Sequence, residues 1–205
     1  MKLVSSTPIR NMGTLAGNLV NASPIGDLTI FFLALDASIR LNNNGKKREI
    51  KLRQFYKGYK KLAKKKDEFI ESIFFKIPTK AFGGNAKFNF EKVCKRKHLD
   101  IASVNSACQL KIQKGIIIEA HVSAGGVGPT PKYLAKASKF LIGKKVSPDI
   151  IQKAAAIIST EISPISDARG SADYKRLLLR QLFYAHFIQN FPKEVSLENL
   201  IAIAH

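Results

Sequence analysis

The sequence predicts an α+β fold, in which an α/β piece is followed by a three-stranded antiparallel sheet packed on a three-helix layer. Three observations carry that prediction. Apolar and polar residues alternate with period two through 38–52 and again through 87–93. Turns rich in asparagine and glycine separate the alternating stretches, as hairpins require. Beyond residue 132 the apolar spacing becomes helical, and Ser147-Pro148 marks one helix start as a cap followed by a first-turn proline.

Taken in order, residues 1–22 read as an extended, turn-rich segment punctuated by Pro8, Gly13 and Gly17. Ser23-Pro24 reads as the start of a helix that runs through the apolar stretch Leu28 to Leu35 and is therefore buried. Ser38 to Leu41 and Arg48 to Leu52 form a hairpin about Asn42-Asn43-Asn44-Gly45. Phe55 to Tyr59 is an aromatic connector, and Phe69 to Ile77 is a further strand ended by Pro78. The loop at 81–85 divides the chain into domains 1–84 and 85–191, with 192–205 a tail that holds one further short helix. In the second domain, 87–93 is a half-buried strand, and 103–113 pairs with 116–123 about Lys114-Gly115. After the loop 124–131 come three helices, at 132–142, 150–162 and 174–191. The last carries Leu178, Leu182, Phe183 and Phe187 along one side, and Tyr184 and Phe191 extend the same core.

Composition narrows the function classes. The 205 residues hold 34 Lys and Arg against 15 Asp and Glu, a formal net charge of +19. Nucleic acid is the first partner such a surplus suggests. The surplus is mostly lysine in short scattered clusters, with no zinc-finger spacing, aromatic stacking string or basic zipper, so a solvated lysine-rich surface is favoured instead. No apolar run approaches the roughly 20 residues of a membrane span. The N-terminal apolar run is too short for a signal peptide, which predicts a cytoplasmic protein. Cys94 and Cys108 are too few for a disulfide scaffold and fall in predicted strands, as small core residues do. His98, His121, His186 and His205 lack metal-ligand spacing.

The chemistry concentrates in Ile9 to Leu19 and Asn21 to Leu28. Gly17 leaves backbone bare for close approach of a phosphate or a ring edge, and Thr14 and Asn18 supply a hydroxyl and an amide. The helix start near Ser23 adds oriented N–H groups, and Asp27 sits in its first turn, where a carboxylate also suits the helix dipole. From composition alone, a turn followed by a capped helix explains the same residues.

The ordered string Ile9-Arg10-Asn11, Thr14, Gly17-Asn18, Asn21-Ala22-Ser23-Pro24 and Asp27-Leu28 resembles the second FAD-contacting motif of the molybdenum hydroxylase flavin domain. That family includes xanthine dehydrogenase, aldehyde oxidase and carbon monoxide dehydrogenase. Further on, Phe55 with Gly58-Tyr59-Lys60-Lys61, the Glu68 to Ile73 strand, and Phe90 to Val93 with Arg96-Lys97 and Asp100-Ile101-Ala102 resemble its later signatures. So do Gly125-Gly126-Val127-Gly128-Pro129 and Tyr174-Lys175-Arg176. About nine-tenths of the chain is covered in order, which is more specific than any single motif.

The resemblance implies an FAD-binding electron-transfer component of a xanthine dehydrogenase-like oxidoreductase, inactive by itself. Electrons would pass from iron–sulfur clusters of a partner through FAD to NAD or another acceptor, and substrate oxidation would belong to a molybdenum-binding partner subunit. It also implies that Thr14, Gly17 and Asn18 contact the FAD phosphates and ribityl chain and that Asp27 bonds in the same pocket. Ile70 would pack near the flavin, Lys92 would lie close to the isoalloxazine, and the Arg96 to Asp100 turn would lie where NAD approaches. The 1–84 domain would then be the second half of an FAD-binding subdomain. Two departures stand out. Ala16 replaces the first glycine of the family's Gly-Gly-Asn, which requires φ < 0 there. The family's first glycine-rich FAD loop precedes the region matched here, so the expectation is that a separate chain carries it or that the gene is truncated. The alternatives are a fragment with a subunit-assembly role and no bound FAD, and a basic nucleic-acid-binding module.

Overall fold

The computed structural model describes residues 4–77, 85–96 and 100–202. The segment expected to be extended instead forms two short helices, α1 (Thr7–Met12) and α2 (Leu15–Asn21). Pro8 occupies the first turn of α1, where its missing N–H costs nothing. Thr14 caps α2, its hydroxyl accepting from the Gly17 N–H at 2.9 Å. Ala16 lies within α2 and keeps φ < 0, the condition its methyl group imposes.

The helix expected from Ser23 begins later. Ser23 to Gly26 is a tight turn closed by Gly26 N–H to Ser23 O at 3.1 Å, and α3 (Asp27–Ala34) follows with Gly26 as its cap. The Ser23 hydroxyl accepts from Ile25 two residues on, a local turn that competes with capping. As expected, α3 is buried, with Ile30, Phe32, Leu33 and Ala34 in the interior.

The first hairpin is β1 (Ser38–Asn43) and β2 (Lys46–Lys51), turned by Asn44 and Gly45 with φ of 44° and 87°. Both central residues have positive φ, the geometry whose twist matches the paired strands. A short 3-10 turn at Leu52–Gln54 leads into β3 (Tyr56–Gly58) and β4 (Lys61–Leu62), which pair with each other. The strand β5 (Phe69–Phe74) lies beside β1 in the order β2-β1-β5. Pro78, the 81–85 glycine loop and the expected domain boundary at 84/85 fall at or among positions outside the described residues.

The second sheet has the order β6-β7-β8-β9, built from Asn85–Cys94, Ala102–Gln113, Ile116–Gly125 and Lys132–Tyr133. The expected three strands are present, with the two-residue β9 added where a helix start was anticipated. Lys114 and Gly115, at φ of 49° and 77°, close the β7–β8 hairpin. On one face lie α4 (Ala135–Leu141), α5 (Pro148–Glu161) and α6 (Ala172–Asn190), while α7 (Leu197–Ala202) packs on α5 and α6. On the other face α3 packs across β7 and β8.

This double cover explains why β7 does not alternate. Residues 102–110 are buried without interruption, with Val104, Cys108 and Leu110 in the helix-layer core and Ala107 in the α3 core. Phe183, Tyr184, Phe187 and Phe191 join the helix-layer core as expected. Burial pushes the Cys108 thiol up to about 12, so it behaves as a small apolar side chain. No described helix is long and apolar enough to cross a membrane.

Candidate functional site

The turn at 23–26 and the first residue of α3 form the centre of the site. Asp27 stands at the positive end of α3 and receives donors on both carboxylate oxygens. Lys92 Nζ donates to Oδ2 at 2.7 Å, and Asn105 Nδ2 donates to Oδ1 at 2.6 Å. The side chains of Lys92 and Asp27 are only 3% and 11% exposed. An ion pair this buried is held by geometry, since desolvating both charges costs about as much as their attraction returns.

Sheet register explains how the groups meet. Lys92 on β6 lies opposite Asn105 on β7, which lies opposite Gly125 on β8, so all three share the face turned to α3. The Asn105 amide also donates to Ile25 O at 3.1 Å, and Gly126 N–H donates to Pro24 O at 3.0 Å. A Cβ on Gly125 would overlap Asn105 Oδ1 and stand 2.9 Å from Pro24 O. Glycine at 125 therefore lets the 23–26 turn lie directly on the sheet.

One turn back along the chain, Asn18 Oδ1 accepts from the Thr29 hydroxyl at 3.3 Å, tying α2 to α3. Gly13 and Gly17 leave bare backbone on the exposed side, where added Cβ atoms would come within 2.9 Å of Ile9 O and 3.0 Å of Thr14 Oγ1. No acidic residue occurs before Asp27, while Arg10 contributes a cation. This surface is chemically suited to a polyanion.

On the other side of the 23–26 turn opens a cleft of about 770 Å³. Ser23, Pro24 and Ile25 line it together with Ser163, Ile165 and Arg169. Tyr59, 63% exposed, and Lys60 also line it, and Lys60 Nζ is bonded to the Asn21 carbonyl and side chain. Lys175 is buried in the cleft wall, donating to Asp167 and to Ile165 O, each at 2.8 Å. With Lys60, Arg169 and Lys175 against Asp167, the cleft is net cationic.

The structure thus brings together Asn18, Asp27 and Lys92, with Thr14 and Gly17 on the adjoining turn of α2. Ile70 is a buried residue of β5, the strand packed on α2, in the core that also holds Leu19. Arg96 and Asp100 form an exposed ion pair at 3.1 Å, and residues 97–99 between them are outside the described residues. Sequence reasoning missed Asn105, whose only signal is an amide in a strand of small and apolar neighbours. It also assigned no role to Tyr59, Lys60 or Lys175.

Comparison with known proteins gives a consistent picture. Residues 1–80 match the family profile of the FAD binding domain in molybdopterin dehydrogenase, and residues 90–190 match that of the CO dehydrogenase flavoprotein C-terminal domain. The chain is 31% identical to xanthine dehydrogenase 1 of Arabidopsis thaliana, over 92% of this chain and 14% of that protein. It is 30% identical to the glyceraldehyde dehydrogenase medium chain of Sulfolobus acidocaldarius, over 88% of this chain and 62% of the relative. Among solved structures, reconstituted CO dehydrogenase from Oligotropha carboxidovorans superposes with a TM-score of 0.83 at 26% identity, over 94% of this chain and 65% of that one. The chain therefore spans less than two thirds of the length of each of these relatives.

Proposed function

Because the chain belongs to the FAD-subunit family of the molybdenum hydroxylases, we propose that it is the flavin-carrying electron-transfer component of such a complex. FAD is the cofactor of this family. When bound, it supplies a ring system that takes up and releases electrons. The remaining chemistry is done by the chain's own side chains.

The residues present fit the dinucleotide. Thr14 offers its hydroxyl proton and Asn18 its amide hydrogens to phosphate oxygens, beside the bare backbone of Gly17. The absence of acids before Asp27 keeps that surface free of repulsion. Asp27 accepts from ligand hydroxyls or ring N–H groups while it holds Lys92. The Lys92 ammonium, shielded from water, favours an anionic reduced ring and so raises its potential. Ile70 supplies apolar backing from β5.

The observation that carries this reading is the buried Asp27–Lys92 pair at the head of α3, beside a glycine-opened, acid-free turn. Electrons are supplied by an iron–sulfur partner subunit, and the substrate is oxidised on a molybdenum-binding subunit. The acceptor docks in the cationic cleft behind the 23–26 turn. NAD suits it, with phosphates for Lys60 and Arg169 and a ring to stack on Tyr59.

Asn18→Ala tests the phosphate assignment. A hydrogen bond to a charged group contributes about 1.5–3 kcal/mol, so FAD affinity should fall at least tenfold. The measurement is equilibrium FAD binding by flavin fluorescence in the reconstituted complex. Unchanged affinity would remove Asn18 from the site.

A further inference from the structure

We propose that Asn105 is a positioning residue that sets where the Lys92 charge sits, by holding Asp27. The proposal rests on the reading of Lys92 as the flavin-facing cation. Its basis is the way the amide is used. Asn105 is fully buried in the first half of β7 and spends its side-chain N–H groups on Asp27 Oδ1 at 2.6 Å and Ile25 O at 3.1 Å. Both bonds end on the segment that carries Asp27, one on the carboxylate and one on the backbone two residues before it.

Asp27 has two oxygens, and Lys92 uses the other one. With Asn105 in place the carboxylate cannot rotate about its Cβ–Cγ bond without losing one of its two donors. The Lys92 side chain reaches that carboxylate on a flexible four-carbon stem. The amide therefore fixes the carboxylate, and the carboxylate fixes the ammonium. Asn105 Oδ1 is left without a hydrogen-bond partner in the described structure, packed over Gly125. A buried amide accepts the cost of that unsatisfied oxygen when its N–H groups are committed elsewhere.

The test is a double-mutant cycle read on the reduction potential and visible spectrum of the FAD-loaded complex, with Lys92→Met, Asn105→Ala and the two combined. Lys92→Met should lower the potential. Asn105→Ala should lower it in the same direction by less, and the combined variant should shift by less than the sum of the two, because Asn105 acts through the Asp27–Lys92 pair. Asn105→Ser, which restores one donor, should recover part of the shift.

Additive shifts, or no shift in Asn105→Ala while Lys92→Met shifts, would overturn the proposal. A Lys92→Met variant with unchanged potential and spectrum would instead overturn the placement of Lys92 beside the flavin. Asn105→Asp has the size of the native residue and covers the case in which Asn105→Ala does not fold. Protonated, the new carboxyl still donates to Asp27; ionised, it repels it. The charged groups that face it are Asp27, from α3, and Lys92, its neighbour on β6. The potential of Asn105→Asp should therefore acquire a pH-dependent step that the wild type lacks, and a profile parallel to wild type would overturn the proposal.

Discussion

His186 shows at the scale of one residue how burial dictates chemistry. Its ring is wholly enclosed between α6 and the sheet, and desolvation holds its pKa down to about 3. Asn89 Nδ2 lies 3.2 Å from Nδ1 and Ser106 Oγ lies 3.0 Å from Nε2, while the Ser106 hydroxyl donates to Ser123 O. The neutral ring with its proton on Nε2 satisfies this chain of bonds. Because the folded pKa lies below the unfolded value near 6.5, the unfolded state binds the proton first on acidification. Stability is therefore full above about pH 6.5 and falls toward pH 3, by at most about 1.4 kcal/mol per pH unit. Urea unfolding at pH 7 and pH 5 measures this, and His186→Gln should flatten the dependence over that window. The sequence made His186 visible only as a histidine without metal spacing; its burial needed the sheet.

The 23–26 turn is the element on which the site depends. Its close seat on β7–β8 requires Gly125, where any side chain would run into Asn105 and Pro24 O. Gly125→Ala should destabilise the protein by about 1–3 kcal/mol, the usual cost of overpacking. Gly58→Ala is the matched control: a Cβ there meets only the Lys61 side chain, at 3.8 Å, and stability should change little. Thermal unfolding of both variants compares them. The hairpins were legible because a two-residue turn with Asn-Gly or Lys-Gly sets its own geometry locally. The helix start at Ser23 was misread for a physical reason. The Ser-Pro signal also serves a turn, and contacts from β7 and β8 decided in favour of the turn. Likewise α1 and α2 were hidden because six or seven residues give too little apolar periodicity to register.

At the scale of the whole molecule, two cores share the second sheet, one formed with α3 and one with the helix layer. Groups from both sequence halves, Asp27 and Lys92, meet on its α3 face. A ligand that binds there stabilises only the folded chain, so FAD at a hundredfold excess over its Kd should add about 2.7 kcal/mol to stability and raise Tm. Differential scanning fluorimetry with and without FAD checks this, and an unchanged Tm would count against the site. The net charge of +19 enters as a lysine-rich surface, from which Lys92 and Lys175 are set apart by burial.

The sequence by itself determined the hairpin turns, the order of the longer strands and helices, the family and the residue types of the candidate site, because propensity, periodicity and motif spacing are local properties. Only the tertiary structure decided which of those residues meet. Lys92 opposite Asn105, Asn105 against Asp27, and the cleft behind Pro24 all depend on sheet register and on α3 lying across β7 and β8. Contacts between residues 65 to 80 positions apart depend on packing, and no local pattern encodes them.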